Sequence, residues 1–228
     1  MKIAYLFFNG QLRGSKKFYS DLIEKEKGDI YCADGGANIA YQLNLIPKEI
    51  YGDLDSIKDE VKDFYTKKNV KFIKFNIEKD YTDSELLLNE IKKKYDKIYA
   101  IAALGGSIDH ELTNINLLNR YSNLIFISQK EKMFKIEESY DFFNMVDKKI
   151  SFIIFSDKVK KLTLKGFKYN VQNLDLTKGE TRCVSNMIEK TEAKVTLKSG
   201  AILCVIKWNK NWHRAIFVIK SRKKKEVL

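Results

Sequence analysis

Apolar and polar positions follow two different rhythms along this chain. Up to about residue 130, short apolar runs alternate with longer segments of helical spacing. Ile3–Phe8, Ile30–Ala33, Val70–Phe75, Ile98–Leu104 and Leu124–Ile127 have strand length. Between them, apolar residues recur three and four apart: Phe18, Leu22 and Ile23; Ala37–Leu45; Val61, Phe64 and Tyr65; Ser84–Tyr95 with Leu86, Leu87, Leu88 and Ile91; and Leu112–Leu118. That spacing puts an apolar stripe on one helix face. Strand–helix alternation predicts a parallel sheet covered on both faces, a Rossmann-like α/β domain. Ligands of such sheets bind beyond the carboxyl ends of the strands.

The rhythm changes between Gln129 and Tyr140, and the expected domains are 1–132 and 133–228. Ile150–Phe155, Lys158–Leu164, Lys168–Leu174, Thr181–Val184, Ala193–Leu197, Ala201–Trp208 and His213–Ile219 are short β-rich runs. Turn signals at Gly166, Lys178-Gly179 and Ser199-Gly200 separate them. This pattern predicts an antiparallel β-sandwich.

Four acidic motifs fall at or just beyond the strand ends of the first domain. They are Ala-Asp34-Gly35-Gly36-Ala-Asn38, Gly-Asp53-Leu-Asp55-Ser, Lys-Asp80-Tyr-Thr-Asp83-Ser-Glu and Gly105-Gly106-Ser-Ile-Asp109-His110. Carboxylates gathered at one sheet edge repel unless a cation lies between them, and oxygen-only ligands favour Mg²⁺. Asp53 and Asp55 stand two apart, so an extended chain would point both at one cation; a helix-capping turn is the structural alternative. Thr82 or Asp83 can cap Ser84–Tyr95, with Glu85 in the capping-box position. Asp80 precedes the cap, which favours a role beside metal or phosphate. The two Gly-Gly pairs let main-chain N–H groups approach a phosphate at a helix N-terminus, or else make tight turns. His110 is a general base or a plain helix N-terminal residue. Neither a P-loop nor a G-x-G-x-x-G fingerprint is present.

Charge divides the chain as the patterning does. Residues 1–150 carry 24 Lys+Arg against 24 Asp+Glu, and residues 151–228 carry 18 against 6, which is the whole net charge of +12. A solvated lysine-rich surface accounts for it; nucleic-acid binding would need aromatic residues on an exposed basic face, for which Tyr169, Trp208 and Trp212 are the candidates. No apolar stretch has membrane-spanning length. Three cysteines, Cys32, Cys183 and Cys204, are odd in number and far apart, pointing to a reducing cytoplasmic setting.

Together the four acidic motifs, with Asn114, Leu164–Tyr169 and Val184-Ser185-Asn186, resemble the thiamine pyrophosphokinase family over nearly the whole chain. The resemblance implies Mg²⁺-dependent transfer of pyrophosphate from ATP to the hydroxyl of thiamine, giving thiamine diphosphate and AMP. It implies a homodimer, with thiamine between the acidic edge of one subunit and the β-domain of the other. It carries over Asp53, Asp55 and Asp80 as metal or phosphate-side groups and Asp34 and Asp109 as further active-site carboxylates. Gly35, Gly36, Asn38, Asp83, Gly105, Gly106, His110 and Asn114 fall on the nucleotide side, and Ser185 and Asn186 on the thiamine side. Two positions depart from the family pattern: Ser107, where arginine is frequent, and Ser128-Gln129, where an acidic residue is frequent. A pyrophosphokinase of another heteroaromatic alcohol, such as a hydroxymethylpterin, is the alternative that keeps the acidic motifs.

Overall fold

The structure is a computed structural model that describes residues 1–75 and 80–208. The chain divides into two compact units, Met1–Gln129 and Lys130–Leu228.

In the first unit, β1 (Ile3–Phe7), α1 (Lys16–Lys25), β2 (Asp29–Ala33), α2 (Gly36–Gln42), β3 (Glu49–Gly52), α3 (Asp59–Lys67), β4 (Lys71–Lys74), α4 (Asp83–Ile91), β5 (Lys97–Ile101), α5 (Ile108–Arg120) and β6 (Leu124–Ile127) follow one another. The strands lie in the order β6-β5-β1-β2-β3-β4, and each neighbouring pair is parallel. The order reverses at β1, whose five residues are all buried. A central strand covered on both faces reads as an unbroken apolar run rather than an alternation. The helices cover the sheet with Phe18, Tyr19 and Leu22 of α1, Val61 and Tyr65 of α3, Leu87, Leu88 and Ile91 of α4, and Leu117 and Leu118 of α5. Burying each of these side chains contributes about 1.5–3 kcal/mol.

Local chemistry sets the helix ends. Ser15 caps α1 by accepting the Phe18 N–H at 3.2 Å, and Thr82 caps α4 by accepting that of Glu85 at 3.3 Å. The helix expected to reach Leu45 stops at Gln42. Asn44 takes a left-handed φ of 57°, and the Leu45 N–H returns to the Ala40 carbonyl at 3.0 Å, which closes the end as a Schellman turn does.

The second unit contains β7 (Glu131–Ile136), β8 (Ser139–Phe143), β9 (Lys149–Ile154), β10 (Lys158–Lys165), β11 (Val171–Thr177), β12 (Asn186–Met187), β13 (Glu192–Thr196) and β14 (Ile202–Lys207). They form two antiparallel four-stranded layers, β12-β9-β14-β7 and β11-β10-β13-β8. Burial alternates along β9 and β13, as expected of a sandwich with one face inward. Phe142, Phe152 and Phe167 meet edge to face in the core, with centroids 5.5–6.5 Å apart. The fold is thus a parallel α/β domain followed by a β-sandwich.

The run Thr181–Val184 does not form a strand. Left-handed Cys183 (φ 69°) and Ser185 (φ 58°) turn the chain there, and only Asn186 and Met187 pair with β9. His213–Ile219 and Trp212 lie outside the described residues. No helix among the described residues is long and apolar enough to cross a membrane.

Candidate active site

A cavity of about 420 Å³ opens at the carboxyl edge of the parallel sheet. Its wall draws on the chain just past four strands or leading into a helix. Asn9 and Gly10 follow β1, Asp34 follows β2, Asp53 and Asp55 follow β3, Thr82–Ser84 begin α4, and Ala103–Asn114 follow β5. Each parallel strand delivers its next residue to the same edge, so the topology alone concentrates these side chains.

Asp34, Asp53 and Asp83 each place a carboxylate oxygen within 4.8 Å of the others. Asp34 is 8% exposed, and its buried Oδ1 has no hydrogen-bond partner. Its backbone is left-handed at φ 45°, held by an N–H bond of 2.7 Å to the Tyr51 carbonyl. Gly52 makes this approach possible. Its φ is +151°, and a Cβ there would stand 2.9 Å from the Asp34 Cβ. Three anionic carboxylates at this range repel one another by roughly 3 kcal/mol per pair at an effective dielectric of about 20. An unpartnered buried oxygen among oxygen-only donors fits a hard divalent cation. Among the described residues, Asp34, Asp53 and Asp83 are the group that could hold Mg²⁺.

This grouping differs from the expected trio of Asp53, Asp55 and Asp80. The expectation for Asp53 and Asp55 assumed an extended chain, but Leu54 is left-handed at φ 70°. Asp55 lines the cavity from an exposed position, and its carboxylate accepts the Ser56 hydroxyl at 3.0 Å. Asp80 is exposed and stands outside the cavity lining. Asp83 joins the cluster because the Thr82 cap makes it the first residue of α4.

The remaining residues of the nucleotide side fall into two groups. Gly106, His110 and Asn114 line the cavity. Gly35, Gly36, Asn38 and Gly105 support it from behind. Asn38 ties α2 to the loop after Asp53, donating to the Ser56 carbonyl at 2.9 Å and accepting the Lys58 N–H at 3.0 Å. Gly35 packs against Asn9 and Gly36 against the Phe7 carbonyl, where any Cβ would collide. Asp109 is fully exposed; the Ser107 hydroxyl, then the His110 N–H, holds its carboxyl below the usual range. Asn9 and Glu111 are cavity residues that the motifs did not single out. Asn9-Gly10 is a dipeptide typical of turns, whereas Glu111 is indistinguishable by sequence from any acid in a first helical turn.

In the second unit, Asn186 is 1% exposed. Its amide accepts the Tyr169 N–H at 3.0 Å and donates to the Tyr169 carbonyl at 2.8 Å. Asn186 thus clamps the main chain of Tyr169, a residue 58% exposed. Ser185 is exposed, and its N–H bonds the Ser151 Oγ at 3.0 Å.

Known proteins match this chain in sequence and in fold. Residues 20–128 match the family model described as thiamin pyrophosphokinase, catalytic domain, and residues 133–202 match thiamin pyrophosphokinase, vitamin B1 binding domain. A thiamine pyrophosphokinase of Bacillus subtilis is 33% identical over 188 residues, covering 79% of this chain and 84% of the relative. Thiamine pyrophosphokinase 1 of Oryza sativa subsp. japonica is 28% identical, covering 75% and 76%. The crystal structure of the Bacillus subtilis enzyme superposes with a TM-score of 0.80 at 26% identity, over 92% of this chain and 100% of that one. The yeast enzyme shares the fold at a TM-score of 0.75 and 18% identity, over 90% and 86%. On these matches, the chain belongs to the thiamin pyrophosphokinase family.

Proposed function

We propose that this protein transfers a pyrophosphoryl group from ATP to the hydroxyl of thiamine, giving thiamine diphosphate and AMP. The observation that carries the reading is the convergence of Asp34, Asp53 and Asp83 at one sheet edge, in a chain of this family. These three carboxylates would hold Mg²⁺, with Asp55 on the rim and Asp80 ahead of α4 as outer acidic groups. A divalent cation bound there supplies charge neutralisation for the polyphosphate. The protein's own groups do the rest. The turn after β5 and the first two turns of α5 bring Gly106, His110 and Asn114 to the nucleotide side. Asp109, exposed on the first turn of α5 with its carboxyl held below the usual range by the Ser107 hydroxyl and then the His110 N–H, is a further outer carboxylate of this side. Asn38 and the glycines keep the acidic loops at fixed spacing, so that little reorganisation is needed as charge develops.

In this reading residues 1–132 handle ATP and residues 133–228 bind thiamine, with Ser185 facing the substrate and Asn186 presenting Tyr169. The protein works as a homodimer in the cytoplasm, where its three free cysteines stay reduced. The test is to incubate the full chain with Mg-ATP and thiamine and follow products by mass spectrometry. Equal amounts of AMP and thiamine diphosphate are expected. ADP with thiamine monophosphate would refute pyrophosphoryl transfer, and AMP formed only with a hydroxymethylpterin would reassign the acceptor.

A further inference from the structure

The turn after β5 is closed by its neighbours. Ala102 (φ 55°) and Gly105 (φ 90°) are both left-handed. The carbonyls of Ala102 and Leu104 accept the Gly10 and Gln11 N–H groups, each at 2.8 Å. The Ala103 carbonyl accepts the Asn114 amide at 2.8 Å. The Gly105 N–H donates to the Glu111 carboxylate in a short bond. Glu111 and Asn114 stand three apart on α5, so one helix face staples the turn.

A Gly-rich turn leading into a helix is a place where main-chain N–H groups bind anions. Here one of those N–H groups already has an anion, and it belongs to the protein. The other Glu111 oxygen has no hydrogen-bond partner among the described residues. Glu111 lines the same cavity as Asp34, Asp53, Asp55 and Asp83, and among the described residues neither lysine nor arginine lines it. Ser107, which follows the turn and lines the cavity, is neutral.

We propose that Glu111 is a positioning residue that sets affinity for the polyphosphate. Its carboxylate acts through Gly105 in two opposed ways. As a hydrogen-bond acceptor it holds the turn in its left-handed form, which favours ordered binding. As a charge it occupies the Gly105 N–H with a resident anion and repels the incoming polyphosphate. The inference rests on the ATP reading above.

The two effects separate by substitution. Glu111→Gln keeps a carbonyl acceptor for the Gly105 N–H and removes the charge; Glu111→Ala removes both. Dissociation constants for Mg-ADP are measured by calorimetry on the full chain, alongside steady-state kinetics. The expectation is that Glu111→Gln tightens Mg-ADP and lowers the KM for ATP by about 3- to 10-fold, the scale of one nearby unscreened charge. Glu111→Ala weakens both by roughly 10-fold, the loss of a charge-assisted hydrogen bond. The KM for thiamine stays within about twofold in both variants, as for a group that touches only the nucleotide side. Equal weakening by Gln and Ala would overturn the proposal, because the charge itself would then be needed. Unchanged affinity in both would also overturn it. Failure of the unmodified chain to bind Mg-ADP would instead sink the nucleotide reading, and this inference with it.

Discussion

At the residue scale, the site is defined by which carboxylates meet. Asp53 lies in the three-oxygen cluster and Asp80 does not. Asp53→Asn should therefore lower turnover by at least ~100-fold, the usual consequence of losing a preorganised charge-stabilising group. Asp80→Asn should lower it far less, within about 10-fold, as expected for a solvent-screened charge outside the cluster. Steady-state kinetics at saturating Mg²⁺ decides; equal losses would return Asp80 to the metal. Ser185 and Asn186 separate in a different way. Ser185→Ala should raise the KM for thiamine by about 2- to 10-fold without changing stability, as one neutral hydrogen bond would. Asn186→Ala should raise it too, but through Tyr169. It leaves the Tyr169 N–H and carbonyl without their partner, so stability should fall by about 1–3 kcal/mol. Urea denaturation beside the kinetics distinguishes them, and an Asn186→Ala protein of normal stability would refute the clamp.

At the element scale, the parallel strands were legible because burial on both faces leaves continuous apolar runs. The amphipathic helices and the Thr82 cap were legible from spacing and capping chemistry. β3 escaped because Glu49–Gly52 is four residues long and includes only Ile50 and Tyr51 as apolar side chains. β7 and β8 escaped because Lys132, Lys135 and Asp141 break up their apolar pattern, although Lys132 is buried. The meeting of Asp53 with Asp83 joins distant segments, and neither it nor the left-handed turn at Leu54 that parts Asp55 from Asp53 is recorded in a local pattern. Contacts at the opposite sheet edge were equally hidden. Tyr31 and Tyr95 hydroxyls meet at 2.7 Å, Tyr95 also bonds Asp29, and Lys48 reaches Asp29 at 3.1 Å. These bonds join the segment after α4 to the starts of β2 and β3. The Tyr95 hydroxyl, then Lys48, lowers the Asp29 pKa against an opposing desolvation. A carboxyl whose pKa is depressed on folding contributes stability that is present above its unfolded pKa, near ~4, and is lost as pH falls through the folded value. Thermal melts should show Tm falling as pH drops below about 4, and Asp29→Asn should flatten that part of the profile. A mutant with the full acid dependence would exclude Asp29 as its source.

At the scale of the whole molecule, charge and chemistry are divided between the units. The carboxylate cluster is in the first, the exposed Tyr169 and Ser185 are in the second, and the excess positive charge follows residue 150. If thiamine lies between the acidic edge of one subunit and the β-domain of another, a lesion in each unit should complement in trans. Asp53→Asn disables the first unit, and Tyr169→Ala with Ser185→Ala, assayed at thiamine well below its KM, cripples the second while leaving the core untouched. If the protein is the proposed homodimer, co-expressing the two variants with different tags gives homodimers and heterodimers in a 1:2:1 ratio. Every heterodimer then has one site with both lesions and one with none. Since about half the dimers are heterodimers with one intact site of two, about a quarter of normal activity should return. Doubly tag-purified heterodimers should reach about half, for the same geometric reason. A site contained within one chain predicts otherwise, because each chain of the heterodimer still carries its own lesion. Activity that stays at the level of the separate variants would place thiamine and the carboxylate cluster on one subunit, and would leave dimerisation without a catalytic reason.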